Sequence, residues 1–206
     1  MKNKTGALIL AGGESERMNF PKAYLLHCGE TFLKRIVDGY YNVGIKNICV
    51  VLNENICGGE WIKYIDQVPS TAVIVRNPNP ERGRFHSFKL GIKRMLEMEC
   101  CFIQNIDNPF VNSNTIVNLL ENRNSYGYTV PSYRGKTGHP IVISKNIIQH
   151  TNSIMPDPNL NLRSVLSIFP RRKVDVDDEY ILTNINTPDD YHRITEQREK
   201  IREGHI

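Results

Sequence analysis

Two kinds of apolar run alternate along the chain. Residues 7–10, 48–52, 72–75 and 101–103 are short and continuously apolar, the pattern of strands buried on both faces. Between them the apolar positions recur at helical spacing. Phe32, Leu33, Ile36, Val37, Tyr40 and Val43 share one face of a helix over 32–43, with Thr31 as its N-cap and Gly44 as its stop. A short helical piece is expected around Trp61, Tyr64 and Ile65, and Asn77-Pro78-Asn79-Pro80 reads as a loop. Gly83 opens a helix to about Met98 whose stripe is Phe85, Phe88, Ile92, Met95 and Leu96, and Ser113 caps another through Glu121. Strands are predicted at 128–130 and 141–143, around the loop 133–139, with a helix over 161–168 and further strands at 174–176 and 181–185. Thr187 caps a final helix that has Pro188 at its first position and Asp189 and Asp190 in its first turn, and the tail from about 199 is expected to fray.

Alternating strands and helices, with early strands apolar throughout, predict an α/β protein. It should have a mostly parallel, Rossmann-like sheet between two helical layers. In such sheets ligands bind beyond the carboxyl ends of the strands. That edge collects residues 11–22, 53, 76–83, 104–109 and 184–187.

Composition narrows the functional classes. The 206 residues fit one domain spanning 1–206. A net charge of +4 with acids and bases intermixed offers no nucleic-acid footprint, and no apolar run is long enough for a membrane span. Residues 1–4 run straight into the first strand, which argues against a signal peptide. The five cysteines form no C-x-x-C pair, so reduced thiols and a cytoplasmic location are the expectation.

Candidate chemistry concentrates on the predicted edge. Leu10 and Ala11 end the first strand, Gly12 and Gly13 let the backbone turn and approach a ligand, and Arg17 and Lys22 follow at fixed offsets. Strand, glycine turn and spaced cations present amides and positive charge to a polyphosphate. Asp107, followed by Asn108-Pro109, sits just past a buried strand, where a carboxylate is placed to hold Mg²⁺ against a phosphate. Gly83 permits close backbone approach, Ser87 and Gly91 keep the following helix narrow, and Asn53 and Asn77 stand at strand ends where they could read base edges. Arg134, Lys136 and His139 offer charge and hydrogen bonds to an acceptor phosphate.

The string Leu10-Ala11-Gly12-Gly13-Glu14-Ser15-Glu16-Arg17-Met18-Asn19-Phe20-Pro21-Lys22 resembles the nucleotidyltransferase signature L-A-[AG]-G-x-[SG]-x-R-M-x-x-x-K. Asp107-Asn108-Pro109 resembles the same enzymes' metal-binding Asp-x-Pro. The stretch from Gly83 to Gly91 resembles their G-x-x-x-S-[LI]-x-x-G, with Phe88 where the pattern has Leu or Ile. Asn184-Ile185-Asn186-Thr187-Pro188-Asp189-Asp190 resembles their C-terminal [DN]-[IV]-[DN]-T-P-[DE]-[DE]. These four motifs, in the correct order along the chain and spanning about residues 5–192, resemble the MobA-like NTP transferase family. That resemblance implies a fold of the nucleotide-diphospho-sugar transferase type and transfer of a nucleoside monophosphate from an NTP to a phosphorylated acceptor, with Mg²⁺ as cofactor. It also implies that Arg17, Lys22 and Asp107 are the catalytic groups. Leu10, Ala11, Gly12, Gly13, Asn53, Asn77, Gly83 and Ser87 would bind nucleotide, and Lys136 and His139 the acceptor. Asp107 and Asn186 would be the metal ligands. Asn186 stands where many relatives have Asp, an exchange that removes a charge from the metal site.

Gly138-His139-Pro140 is similar to the molybdenum cofactor cytidylyltransferases, whereas Ala11-Gly12-Gly13 leans toward the guanylyltransferases, so CTP and GTP both stay open. A sugar- or alditol-phosphate nucleotidyltransferase is the alternative acceptor class. A non-catalytic NTP-binding regulatory protein on the same scaffold is the alternative of another kind.

Overall fold

The computed structural model describes residues 2–155, 157 and 160–202, with side chains as far as Arg198. The chain runs through β1 (Thr5–Ala11), the short hairpin strands β2 (Leu26–His27) and β3 (Glu30–Thr31), and α1 (Phe32–Asn42). Next come β4 (Asn47–Asn53), α2 (Ile62–Ile65), β5 (Ala72–Asn77), α3 (Gly83–Ile92), β6 (Cys100–Asn105) and α4 (Ser113–Glu121). Then follow β7 (Tyr128–Tyr133), β8 (Lys136–Thr137), β9 (Ile141–Ser144), α5 (Lys145–Ser153), α6 (Leu162–Leu166), β10 (Arg171–Asp175) and α7 (Pro188–Arg202).

The main sheet has the order β10-β7-β9-β6-β1-β4-β5, with β8 added to β7. Pairings of β1 with β4 and β6, β4 with β5, and β7 with β10 are parallel. Those of β9 with β6 and β7, and of β8 with β7, are antiparallel. The expected mostly parallel, two-sided α/β sheet is therefore present. Its antiparallel part begins at a tight turn, where Arg134 and Gly135 both adopt left-handed backbone (φ 48° and 80°) and fold β8 back on β7.

Strand alternation divides the core in two. Ala7, Ile9, Ile48, Val50 and Phe102 face one layer with α1 and α4, while Leu8, Leu10, Cys49, Val51, Cys101 and Ile103 face the other with α3 and α5. Both sets are buried, which is why the strands carry no polar alternation. The predicted cap of α1 is present, with Thr31 Oγ1 accepting a hydrogen bond from the Lys34 amide at 3.1 Å.

Several expected boundaries are corrected. The helix opened by Gly83 stops at Ile92 rather than Met98. The chain then turns through hydrogen bonds from Arg94 N to Gly91 O and from Met95 N to Ile92 O, and Met95 remains buried in that turn. Asn77 closes β5 instead of starting a loop. Ser113 is the first residue of α4 and not its cap; the distant Asp178 carboxylate takes the Asn112 amide and the Thr115 hydroxyl, both at 2.8 Å. The 181–185 stretch forms no strand. A 3-10 turn, Glu179–Leu182, leads into extended chain whose backbone groups are taken by loops: His139 N donates to Ile181 O, and Ile185 N to Asp107 O. Helix α7 continues to Arg202, past the expected fraying point, and 203–206 lie outside the described residues.

Candidate active site

At the carboxyl edge of β1 and β6 the loops surround a cleft of about 270 Å³, walled by Gly12, Gly13, Lys22, Gly83, Arg84 and Asp107 among others. The two glycines have different surroundings. A methyl group built on Gly12 would lie 2.5 Å from Ser87 Oγ and 3.3 Å from Asn77 Nδ2, whereas one on Gly13 would meet nothing within 4 Å. Gly12 thus rests on the first turns of α3, and Gly13 presents bare backbone to the cleft.

Past the glycines, Ser15 adopts left-handed backbone (φ 55°) and its hydroxyl accepts from the Lys22 amide at 3.3 Å, closing the loop on itself. Met18 is buried as the loop's apolar anchor, while Arg17 is exposed on the 3-10 turn Glu16–Met18. The Lys22 ammonium donates to Asn186 Oδ1 at 2.8 Å. Burial pushes the Lys22 pKa below its ordinary value. The charge of Asp107 opposes that shift, the nearby Arg17 and Arg84 reinforce it, and Asp190 opposes it.

Asp107 is 7% exposed. Its Oδ2 stands 3.8 Å from Arg84 Nη2, and its Oδ1 is buried with no hydrogen-bond partner among the described residues. Asn108 braces this loop. Its buried carboxamide donates to Tyr180 O (2.6 Å) and Thr183 O (2.5 Å), while Gln104 Nε2 donates to Asn108 O at 2.7 Å. Those bonds hold the 180–185 segment against the Asp107 loop and thereby deliver Asn186 to Lys22. Asn186 is fixed in turn by Asp190, whose Oδ2 accepts from the Asn186 and Thr187 amides, both at 3.1 Å; the Asn186 bond is the main reason the Asp190 carboxyl titrates below its usual range.

His139 is half-buried beside Asp107 and Arg84. Burial pushes its pKa below the ordinary imidazole value, the Asp107 charge opposes this, and Arg84 adds to it. Its Nδ1 is buried without a hydrogen-bond partner among the described residues.

The structure brings Leu10, Ala11, Gly12, Gly13, Lys22, Gly83, Ser87 and Asp107 to the cleft wall, with Asn186 bonded to Lys22 and His139 close behind Asp107. Other expected site residues are placed elsewhere. Asn53 and Asn77 are buried, each accepting the amide two residues on (Asn55 N and Asn79 N, 3.0 Å). Asn77 also donates to Ser87 Oγ at 3.1 Å, so both carboxamides shape turns and lie off the cleft wall. Lys136 is exposed on β8 and lies off the cleft wall. Sequence reasoning missed Arg84, Ser15 and Asn108. Arg84 occupies a variable position of its motif, and nothing local distinguishes it from the neighbouring Arg82 or Lys89. For Asn108 the signal was present, as the middle residue of the Asp-x-Pro turn.

Residues 7–174 match the profile of the MobA-like NTP transferase domain. The chain belongs to that family. It is similar to the molybdenum cofactor cytidylyltransferase of Escherichia coli (28% identity over 130 residues, 63% of this chain and 64% of that enzyme). It is also similar to a probable molybdenum cofactor guanylyltransferase of Clostridium perfringens (24% over 209 residues, 95% and 98%). The chain thus spans just under two thirds of the first relative and nearly all of the second. Among solved structures, Rv0371c from Mycobacterium tuberculosis superposes with a TM-score of 0.76 at 21% identity, covering 94% of this chain and 98% of that one. Rv0371c is also known as a complex with manganese (TM-score 0.69, 20% identity, 93% and 97% covered). These structures share the nucleotidyltransferase fold with this chain.

Proposed function

We propose that this protein transfers a nucleoside monophosphate from CTP or GTP to the phosphate of a molybdopterin-type acceptor, releasing pyrophosphate. The observation that carries the reading is the meeting, at one cleft, of bare glycine backbone, a desolvated lysine held by Asn186, and a buried carboxylate with an unpartnered oxygen. In this reaction an acceptor phosphate oxygen attacks the α-phosphorus, a new P–O bond forms, and the bond to the β-phosphate breaks with its electrons leaving on pyrophosphate. A phosphate monoester is already largely ionised near pH 7, so no protein base is needed. The chain has to supply alignment and positive charge.

Gly12 and Gly13 would let the triphosphate lie against backbone. Lys22 would neutralise charge developing around the α-phosphate, with Arg17 at the exposed end nearer the leaving group. Arg84, beside Asp107, would draw in the acceptor phosphate. His139, whose Nδ1 is buried without a partner among the described residues, would orient that phosphate through its ring.

The donor set fits a divalent cation. Mg²⁺ takes one or two protein oxygens and completes its shell with phosphate and water, and Asp107 Oδ1 is a buried carboxylate oxygen with no other partner. Asn186 Oδ1 is the second candidate ligand and is shared with Lys22. When bound, Mg²⁺ would offset phosphate charge and align donor with acceptor. Manganese in the Rv0371c complex supports a metal of this kind.

The test is Mg²⁺-dependent pyrophosphate release with each NTP, using molybdopterin and a panel of sugar and alditol phosphates as acceptors. Release with CTP or GTP and molybdopterin, lost in Lys22→Ala, supports the reading. Release only with a sugar or alditol phosphate moves the acceptor class. Tight NTP binding with no turnover on any acceptor overturns the assignment in favour of a regulatory nucleotide binder.

A further inference from the structure

Behind the Asp107 loop, on the face carrying α1 and the end of α7, lies a second cavity of about 650 Å³, within the range of metabolite sites. Its wall includes His27, Glu30, Arg35, Asn112, Tyr180 and Arg198. The Arg198 guanidinium lies between two rings, 4.5 Å from the centre of Phe110 and 4.4 Å from that of Tyr180, and Arg35 stands 5.7 Å from the centre of the same Phe110 ring.

The carboxylates nearby are engaged by other partners, Asp178 by the Asn112 and Tyr180 amides and the Thr115 hydroxyl. Glu30 is taken by Lys34 (3.0 Å) and Arg35 (3.3 Å), and Lys34 is shared with Asp38 at 2.5 Å. Among the described residues no carboxylate pairs with Arg198, and its buried Nε has no hydrogen-bond partner. Ring faces stabilise a cation modestly, and a half-buried guanidinium with unused donors is matched best by an oxyanion. Arg198 adds a fork of donors, Arg35 adds charge, and Asn112 adds a carboxamide at the rim.

We propose that this cavity is a second binding site, separate from the candidate active site, for a small ligand bearing a phosphate or carboxylate group. Arg198 is its principal ligand. The site lies directly behind the active-site loop, because Phe110 follows Asp107 by three residues and the Tyr180 carbonyl holds Asn108. The proposal does not depend on which reaction the front cleft performs.

The experiment is a thermal-melting titration with inorganic phosphate and, separately, citrate, at constant ionic strength and without divalent metal. It uses the full chain as wild type, Lys22→Ala, Arg198→Met and Arg198→Lys. Arg198→Met keeps an apolar stem over the rings and removes the charge. Excluded anions also stabilise folded proteins without binding, so the readout is a saturable shift and its midpoint. Saturation should occur in wild type and Lys22→Ala, move to at least about tenfold higher concentration in Arg198→Met, and fall between these limits in Arg198→Lys. Saturation with phosphate alone assigns a phosphate ligand, and with citrate alone a carboxylate. A midpoint unchanged in Arg198→Met, saturation lost only in Lys22→Ala, or no saturation with either anion overturns the proposal. If Arg198→Met does not fold, an Arg198→Lys midpoint equal to wild type does the same.

Discussion

Replacing Gly12 by alanine puts a methyl group 2.5 Å from Ser87 Oγ, closer than real Cβ contacts come. Ser87 cannot yield freely. It is 3% exposed, and its hydroxyl accepts from Asn77 Nδ2 at 3.1 Å, with Asn77 itself fully buried. Either the end of β1 lifts, at about 1–3 kcal/mol for overpacking, or the hydroxyl rotates and leaves the Asn77 amide unpaired, at about 1–3 kcal/mol. With both partly realised, the loss is about 2–4 kcal/mol, and for a chain of this length each kcal/mol lowers the melting temperature by about 2–4 °C. Gly12→Ala should therefore melt about 5–15 °C below wild type. Gly13→Ala is the internal control. Its methyl meets nothing within 4 Å, so stability should stay within about 0.5 kcal/mol while NTP affinity falls. Ser87→Ala alone breaks the Asn77 bond and carries its own cost, so the two substitutions should be less than additive: Gly12→Ala should cost less in the Ser87→Ala background than in wild type. Calorimetric melting of wild type, the three single variants and the double variant reads all of this. A Gly12→Ala midpoint within about 2 °C of wild type, or full additivity in the double variant, would refute the steric reasoning.

Three further outcomes are expected. Lys22→Ala should lower turnover by about 10²-fold or more, the scale seen when one stabilising donor is lost, and steady-state kinetics with the identified acceptor measures it. Asn108→Ala should cost about 1–3 kcal/mol, because two half-buried carbonyls lose their donor together; denaturant unfolding reads the loss, and a variant as stable as wild type would remove Asn108 as the brace. The His139 pKa is lower in the fold than its ordinary value of 6.5. On acidification the unfolded chain takes up this proton first, so stability falls as pH drops through about 6.5 and levels off below the folded value. His139→Gln should flatten that part of the melting-temperature profile against pH, and an unchanged slope would show that another group is responsible.

The hydrophobic pattern located β1, β4, β5 and β6 to within one or two residues, because burial on both sheet faces leaves continuous apolar runs; α1 was placed by its apolar stripe together with Thr31 and Gly44, and α4 by Ser113. It failed at 181–185. Ile181 and Ile185 are buried as strand residues would be, yet their backbone groups serve the Asp107 and His139 loops. Apolar periodicity reports that a side chain is inside, not which backbone partner it finds. Helix α3 was overextended for the same reason, since Met95 is buried in a turn as fully as it would be in a helix.

By itself the sequence determined the family, the sheet edge on which the motifs gather, and the identity of Gly12, Gly13, Lys22 and Asp107 as its polar centre. Motif spacing and strand ends are local properties of the chain. Only the tertiary structure decided among the asparagines and arginines. Asn53 and Asn77 close turns, Asn108 braces two loops, and Asn186 reaches Lys22 across 164 residues of sequence. Arg84 faces Asp107, and Arg198 lies between two rings at a separate cavity. A carboxamide or guanidinium takes its role from whichever group stands within about 3–4 Å, and that distance is set by how distant loops pack, which no local pattern records.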